Sequence, residues 1–170
     1  MHTNRTRTIL ARLALGFGAA ALLATAADHL DEYTANHFST VPTIGTLFLL
    51  NFIVATAVAV GLVLPWKRIT KRYADRVRAF LALSGIGIAA SSLIGLWISE
   101  SSSLFGFTDH GSRPTIVVAI IAESLVIVAL TAYLTLEHLG RPHPVTHLPA
   151  AETATTPTPA ADRAAFASRD

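Results

Sequence analysis

Residues 43–78 read TIGTLFLLNFIVATAVAVGLVLPWKRITKRYADRVR, and the change of character near position 65 decides the fold. Residues 43–64 carry no charged side chain. A hydrocarbon core about 30 Å thick is crossed by roughly 20 apolar residues rising 1.5 Å each, so this run is long enough to span a bilayer as a helix. Lys67, Arg68, Lys71, Arg72, Arg76 and Arg78 then crowd into a short connection before apolar sequence resumes over 77–99. Water or lipid headgroups must solvate such a connection. The segment is therefore predicted to be a helical hairpin with a basic tip.

The same pattern extends in both directions. Four apolar runs, at about 9–27, 43–64, 77–99 and 115–136, predict an all-α, four-helix transmembrane bundle made of two helical hairpins within residues 1–139. Composition agrees: 170 residues, 52% hydrophobic, 14% charged, with a mean hydropathy of +0.51. Soluble domains rarely have that profile. Residues 140–170, rich in Pro, Ala and Thr, cannot bury a core and are expected to form a disordered cytoplasmic tail. His138, His143 and His147 stand in or near that proline-spaced stretch. A flexible tether suits them better than metal capture.

Twelve of the thirteen Lys and Arg residues fall in three segments on one side of the runs, Arg113 being the exception. Asp28, His29, Asp31, Glu32, His37, Glu100, Asp109 and His110 lie on the other side. By the positive-inside rule both termini are cytoplasmic, which places a multi-pass protein in a bacterial inner (plasma) membrane. The basic residues form no continuous patch, so nucleic acid is not an expected partner. The lipid bilayer is, with a membrane protein or a second copy of the chain as a further candidate. The first run also has a rival reading as a signal peptide, because Ala24, Thr25 and Ala26 have the small-x-small form of a cleavage site. A retained helix is the preferred reading. The chain has no cysteine and no methionine beyond Met1, which excludes disulfides, thiolate metal sites, iron–sulfur ligation and a sulfur relay for Cu(I).

Pro42, Thr43 and Ile44 open the second run, and Pro114, Thr115 and Ile116 open the fourth, 72 residues later. The same offset carries Asp28 onto Glu100 and Asn51 onto Glu123. It suggests two hairpins related by a pseudo-twofold along the membrane normal, joined on the acidic side by loops over 28–42 and 100–114. Asn51, Glu123 and the pair Ser91 and Ser92 then lie at one depth on three helices. A carboxylate there costs about 2.5–3.5 kcal/mol to insert. Glu123 should therefore face the bundle interior and accept hydrogen bonds from Asn51 or a serine. Either this layer is interhelical glue, or Glu123 handles a proton or a ligand. Gly87, Ser91, Gly95 and Ser99 recur every four residues and predict close packing of the third helix.

The densest chemistry is Asp28-His29-Leu30-Asp31-Glu32-Tyr33, with His37 beyond it. On a continuing helix Asp28, Asp31 and Glu32 share one face at i, i+3 and i+4. With Glu100, Asp109 and His110 from the other loop they make a candidate ligand or metal site, against the plainer reading of a hydrated charged cap. No specific ligand motif such as His-Glu-x-x-His occurs, and no cofactor is assigned.

His29 and Leu30, then Tyr33 and Phe38, lead into Val41-Pro42-Thr43-Ile44-Gly45-Thr46-Leu47-Phe48-Leu49-Leu50-Asn51. This stretch resembles an uncharacterised family of small four-span membrane proteins from actinobacteria, which share a His-Leu near the end of the first span and a Pro-x-Ile-Gly-x-Leu-Phe-Leu-Leu segment opening the second. The likeness covers 29–51 and otherwise rests on hydropathy. It implies no activity, and it singles out His29, Gly45 and Asn51 for testing. Two functional readings follow from the residues. The first is a non-enzymatic accessory or scaffold subunit. The second is a membrane carrier or redox component with an acidic-side ligand or metal site and a buried, proton-handling Glu123. An enzyme is disfavoured, because no nucleophile and base pair is recognisable.

Overall fold

The computed structural model describes residues 2–101 and 114–139, and these form helices and no strand. In chain order they are α1 (His2–Thr34), α2 (Pro42–Val63), the short α3 (Trp66–Ile69), α4 (Ala74–Ser101) and α5 (Pro114–Leu139), with a 3-10 turn at Phe38–Thr40. The four long helices are each long and apolar enough to cross a membrane. They form an all-α bundle, that of a multi-pass membrane protein. The tail 140–170 lies outside the described residues.

Local chemistry explains most helix ends. Pro42 stands at the first turn of α2, where its missing N–H leaves nothing unpaired. Pro65 follows the end of the same helix, and the Trp66 indole N–H donates to the Gly61 carbonyl at 2.6 Å, satisfying one of the exposed C-terminal acceptors. α3 is the basic connection itself and carries Lys67 and Arg68. At the opposite, acidic end α1 runs on past residue 27, because Asp28 to Thr34 contain neither Gly nor Pro to stop it. At 33 residues it is about 50 Å long, which carries its end beyond the hydrocarbon core. The loop expected over 28–42 is therefore confined to 35–41. His37 turns the chain there in a left-handed conformation with φ 62°, and Phe38 is tucked back into the bundle, buried.

α1 and α4 occupy opposite corners, and each packs on both α2 and α5. Consecutive long helices thus form the two expected hairpins, α1 with α2 and α4 with α5. The sides of this square are unequal: α1 packs closely on α5 and α2, whereas α2 and α4 are the most loosely apposed neighbours. Small residues explain the tight side. Ala11, Ala19 and Ala26 of α1 are buried, and a side chain at Gly18 would stand 2.5 Å from Leu130. Gly85 of α4 is filled similarly, by Leu130 at 2.7 Å and Leu22 at 2.9 Å. Lipid tails are as apolar as leucine, so close packing of this kind must supply the cohesion. Leu22, Leu62, Val126 and Leu130 are wholly buried and close the half of the bundle nearer the basic end. The first run is thus integral to the core, since cleavage after Ala26 would remove Ala19 and Leu22.

The glycine and serine stripe of α4 departs from its expected use. Added side chains at Gly87 and Gly95 would meet nothing within 4 Å, so these positions make no tight seam. Gly45 behaves in the opposite way, because a methyl group there would collide with the carbonyl of Phe38 and the backbone of Ser39. Gly45→Ala is expected to lower the thermal midpoint of the detergent-solubilised protein, at a cost of about 1–3 kcal/mol for overpacking. Gly87→Ala should be neutral or raise it by up to about 1 kcal/mol, because alanine favours the helix and nothing opposes it. Circular dichroism melts of both variants check the contrast, and equal midpoints would count against it.

Candidate functional site: a cavity at the acidic end

Above the Leu22–Leu130 layer the four helices diverge around a cavity of about 310 Å³. Asp28, His29 and Glu32 enter it from α1, Asn51 from α2, Ser91, Ser92 and Ser99 from α4, and Glu123 from α5. The helical period explains the selection on α1. Asp28, His29 and Glu32 lie along the inward stripe one turn above buried Thr25, while Asp31 falls outside it. Asp31 is exposed, and its carboxylate accepts from Asn36 Nδ2 at 3.4 Å. The shared face expected for Asp28, Asp31 and Glu32 is therefore divided, two inward and one outward. His37 is also exposed and lies apart from the cavity.

His29 is the hub. The residue is 5% exposed, with Nε2 3.1 Å from Ser92 Oγ and 3.8 Å from Glu123 Oε1, and Nδ1 3.7 Å from Asp28 Oδ2. The imidazole thus stands between two carboxylates. When neutral it exchanges a single hydrogen bond with Ser92, whose hydroxyl donates to Nε2 or accepts from it according to tautomer. When protonated it is attracted to both acids. Its ring is held edge-on against Phe48 (centroids 5.5 Å apart), and Phe48 is packed in the same manner against Phe38 (5.2 Å). The close approach at Gly45 places Phe38 there, so the turn, the two phenylalanines and the histidine are positioned together.

The polar layer at one depth also converges, but its bonding differs from expectation. Glu123 is 1% exposed, and both its oxygens lack a well-formed hydrogen bond within the described protein. Ser92, whose hydroxyl also faces this carboxyl, is engaged with His29 instead. Asn51 Oδ1 and His29 Nδ1 are likewise buried without such a bond. Ser91 turns its hydroxyl to its own helix, donating to the Ile88 carbonyl at 2.9 Å. The chain brings these acceptors together and does not pair them with one another. Ser92 provides an interhelical hydrogen bond to His29, whereas Asn51 Oδ1 and the Glu123 oxygens have no well-formed bond to one another.

The walls between the polar groups are apolar: Ile44 and Leu47 on α2, Leu96 on α4, Ile116 and Ala119 on α5. Individual signals for them were weak, because each is an ordinary lipid-compatible residue. The 72-residue offset nevertheless pairs Ile44 with Ile116, Leu47 with Ala119 and Asn51 with Glu123, and all six line the cavity. The likeness holds for α2 and α5. It fails for α1 and α4, whose lining residues are not related by that offset.

No group of three His, Asp or Glu side chains among the described residues could hold a metal ion. Asp109, His110 and the side chain of Glu100 lie outside the described residues. Comparison with protein-family models, curated proteins and solved structures finds no match.

If Glu123 serves the cavity's contents and not the fold, replacing it by a similar-sized apolar residue removes a buried group that no helix satisfies. Glu123→Leu is expected to leave the thermal midpoint unchanged or to raise it, by anything from zero to about 1–4 kcal/mol. A marked fall would mean that the carboxyl holds the helices together.

Proposed function

We propose that this chain is a small-molecule carrier of the bacterial plasma membrane, with both termini in the cytoplasm and its binding cavity opening on the outer side. The convergence of Asp28, His29, Glu32, Asn51, Ser92 and Glu123 on one cavity carries this reading. About 300 Å³ is the lower end of the range for small-molecule sites, and such sites are typically apolar with a few converging polar groups. The buried acceptors of Glu123 and Asn51 need partners, and an occupant of the cavity can supply them. A scaffold has no need of such acceptors. Leu22, Leu62, Val126 and Leu130 are buried on the basic side of the cavity, which supports an opening toward the acidic, outer side. The orientation rests on the basic connection of α3 and its flanks, Lys67 to Arg78. Glu123, with His29 beside it, is the group placed to exchange a proton as the site fills and empties.

Gly95 provides a test that spares the fold. It lines the cavity, and a side chain added there meets nothing within 4 Å, so Gly95→Leu should block the site while gaining about 1 kcal/mol of helix propensity. Protein taken from membranes in mild detergent is expected to release a stoichiometric small molecule on solvent extraction, detected by mass spectrometry, and Gly95→Leu is expected to release none. Equal yields from the two proteins, or nothing from either, would count against the carrier.

A further inference from the structure

The charge around the cavity is one-sided. Among the described residues Asp28, Glu32 and Glu123 line it, and no Lys or Arg does. The chain has no Lys or Arg between Arg12 and Lys67, or between Arg78 and Arg113; Arg113, three residues before Ile116, lies outside the described residues. Among the described residues His29 is the one lining group that can become positive. Buried carboxylates in a protein interior call for a cation or a proton. Among the described residues the chain's own Lys and Arg stand toward the other end of the bundle.

The other lining groups fit the same kind of occupant. Asn51 presents an unpaired carbonyl oxygen, and Glu123 presents two oxygens; acceptors of this kind favour a donor-bearing or positively charged partner. Phe38 and Phe48 stand at the wall beside His29, and their ring faces attract cations where water is excluded. Ile44, Leu47, Leu96 and Ile116 complete an apolar enclosure. A bare metal ion is poorly served, since it would need several ligands at once and the described residues offer no such group. A neutral lipid-like molecule would offer the Glu123 oxygens no compensating charge.

We infer that the cavity takes an organic monocation, a protonated amine or quaternary ammonium carrying an apolar body, with its charged centre against Glu123 and its body between α2 and α4. This rests on the carrier reading and narrows it. Occupation favours the ionised form of Glu123, so binding of the cation is linked to release of a proton. The groups that share the titration are Asp28, His29 and Glu32 from α1; α2 presents only Asn51, and α4 presents Ser91, Ser92 and Ser99. Protonation of His29 adds positive charge beside the site and opposes the cation in the same direction as protonation of the acids. Binding therefore weakens as pH falls.

Benzyltrimethylammonium and its uncharged isostere neopentylbenzene provide the test, with calorimetry on the full-length protein in detergent. The cation is expected to bind and the isostere not, with release of a proton and a loss of affinity approaching about tenfold per pH unit on the acid side. Glu123→Gln, which keeps the shape, should weaken cation binding at least about tenfold, and Gly95→Leu should abolish it. Equal binding of the isostere would overturn the cation and leave the carrier standing. Cation binding unchanged in Gly95→Leu would place it elsewhere and overturn both. No binding of the cation to the wild type, or binding indifferent to Glu123→Gln, would overturn the assignment; the extraction comparison then decides the carrier separately.

Discussion

A carboxyl group buried at membrane depth, faced by the Ser92 hydroxyl and His29 but given no well-formed hydrogen bond by the described residues, is the constraint on which the arrangement of this bundle turns. In hydrocarbon every polar atom must be met from within the protein or by the contents of a cavity. Glu123 is placed so that the protein interior does only part of that work. Ser92 is occupied by His29, Asn51 offers its carbonyl as a further acceptor, and Asp28 and Glu32 add like charge from above. Closing the helices there would crowd the acids around the one imidazole of His29.

The rest of the chain is built to let half of the bundle stay open. In the basic half, Gly18, Gly85 and the alanines of α1 permit the approach that buries Leu22, Leu62 and Leu130. In the acidic half Gly95 and Ser99 enlarge the space, and α2 and α4 draw apart. Small residues thus have two opposite effects in one molecule. Where a leucine from a neighbour fills the notch, they bind helices; where none does, they make a cavity. That distinction follows from what stands opposite, which a single sequence does not state. It is why the α4 stripe read as a packing seam, although its outer part lines the site.

The fold was legible because hydrophobic length and charge sidedness are local properties. Residues 43–78 contain a span, a proline stop and a solvated basic turn in immediate succession. The site was partly legible. Asn51, Ser92 and Glu123 could be set at one depth by counting residues from the helix starts, and His29 stood out as a polar group at a helix end. The face of α1 that turns inward could not be counted in this way, because it depends on how far the helix continues beyond residue 27. Asp28 and Glu32 were therefore grouped with Asp31, though only the first two reach the cavity. Nothing local in the sequence sets Phe38 and Phe48 beside His29, since their place comes from the turn that Gly45 admits.

The repeat clarifies why the site carries one deep acid and not two. Under the 72-residue offset Asn51 and Glu123 are equivalents on opposite helices, at matched depth and facing the same space. Two carboxyls in those positions would share the cavity and raise the cost of ionising either. An amide opposite a carboxyl avoids that repulsion while keeping an acceptor on each wall. The deep charge is then single and off-centre, biased toward α5 and the imidazole of α1. An occupant with one positive centre and an apolar body matches that distribution better than a symmetric dication or a neutral molecule. The pseudo-symmetry of the walls gives the cavity its shape, and the break between Asn51 and Glu123 gives it direction.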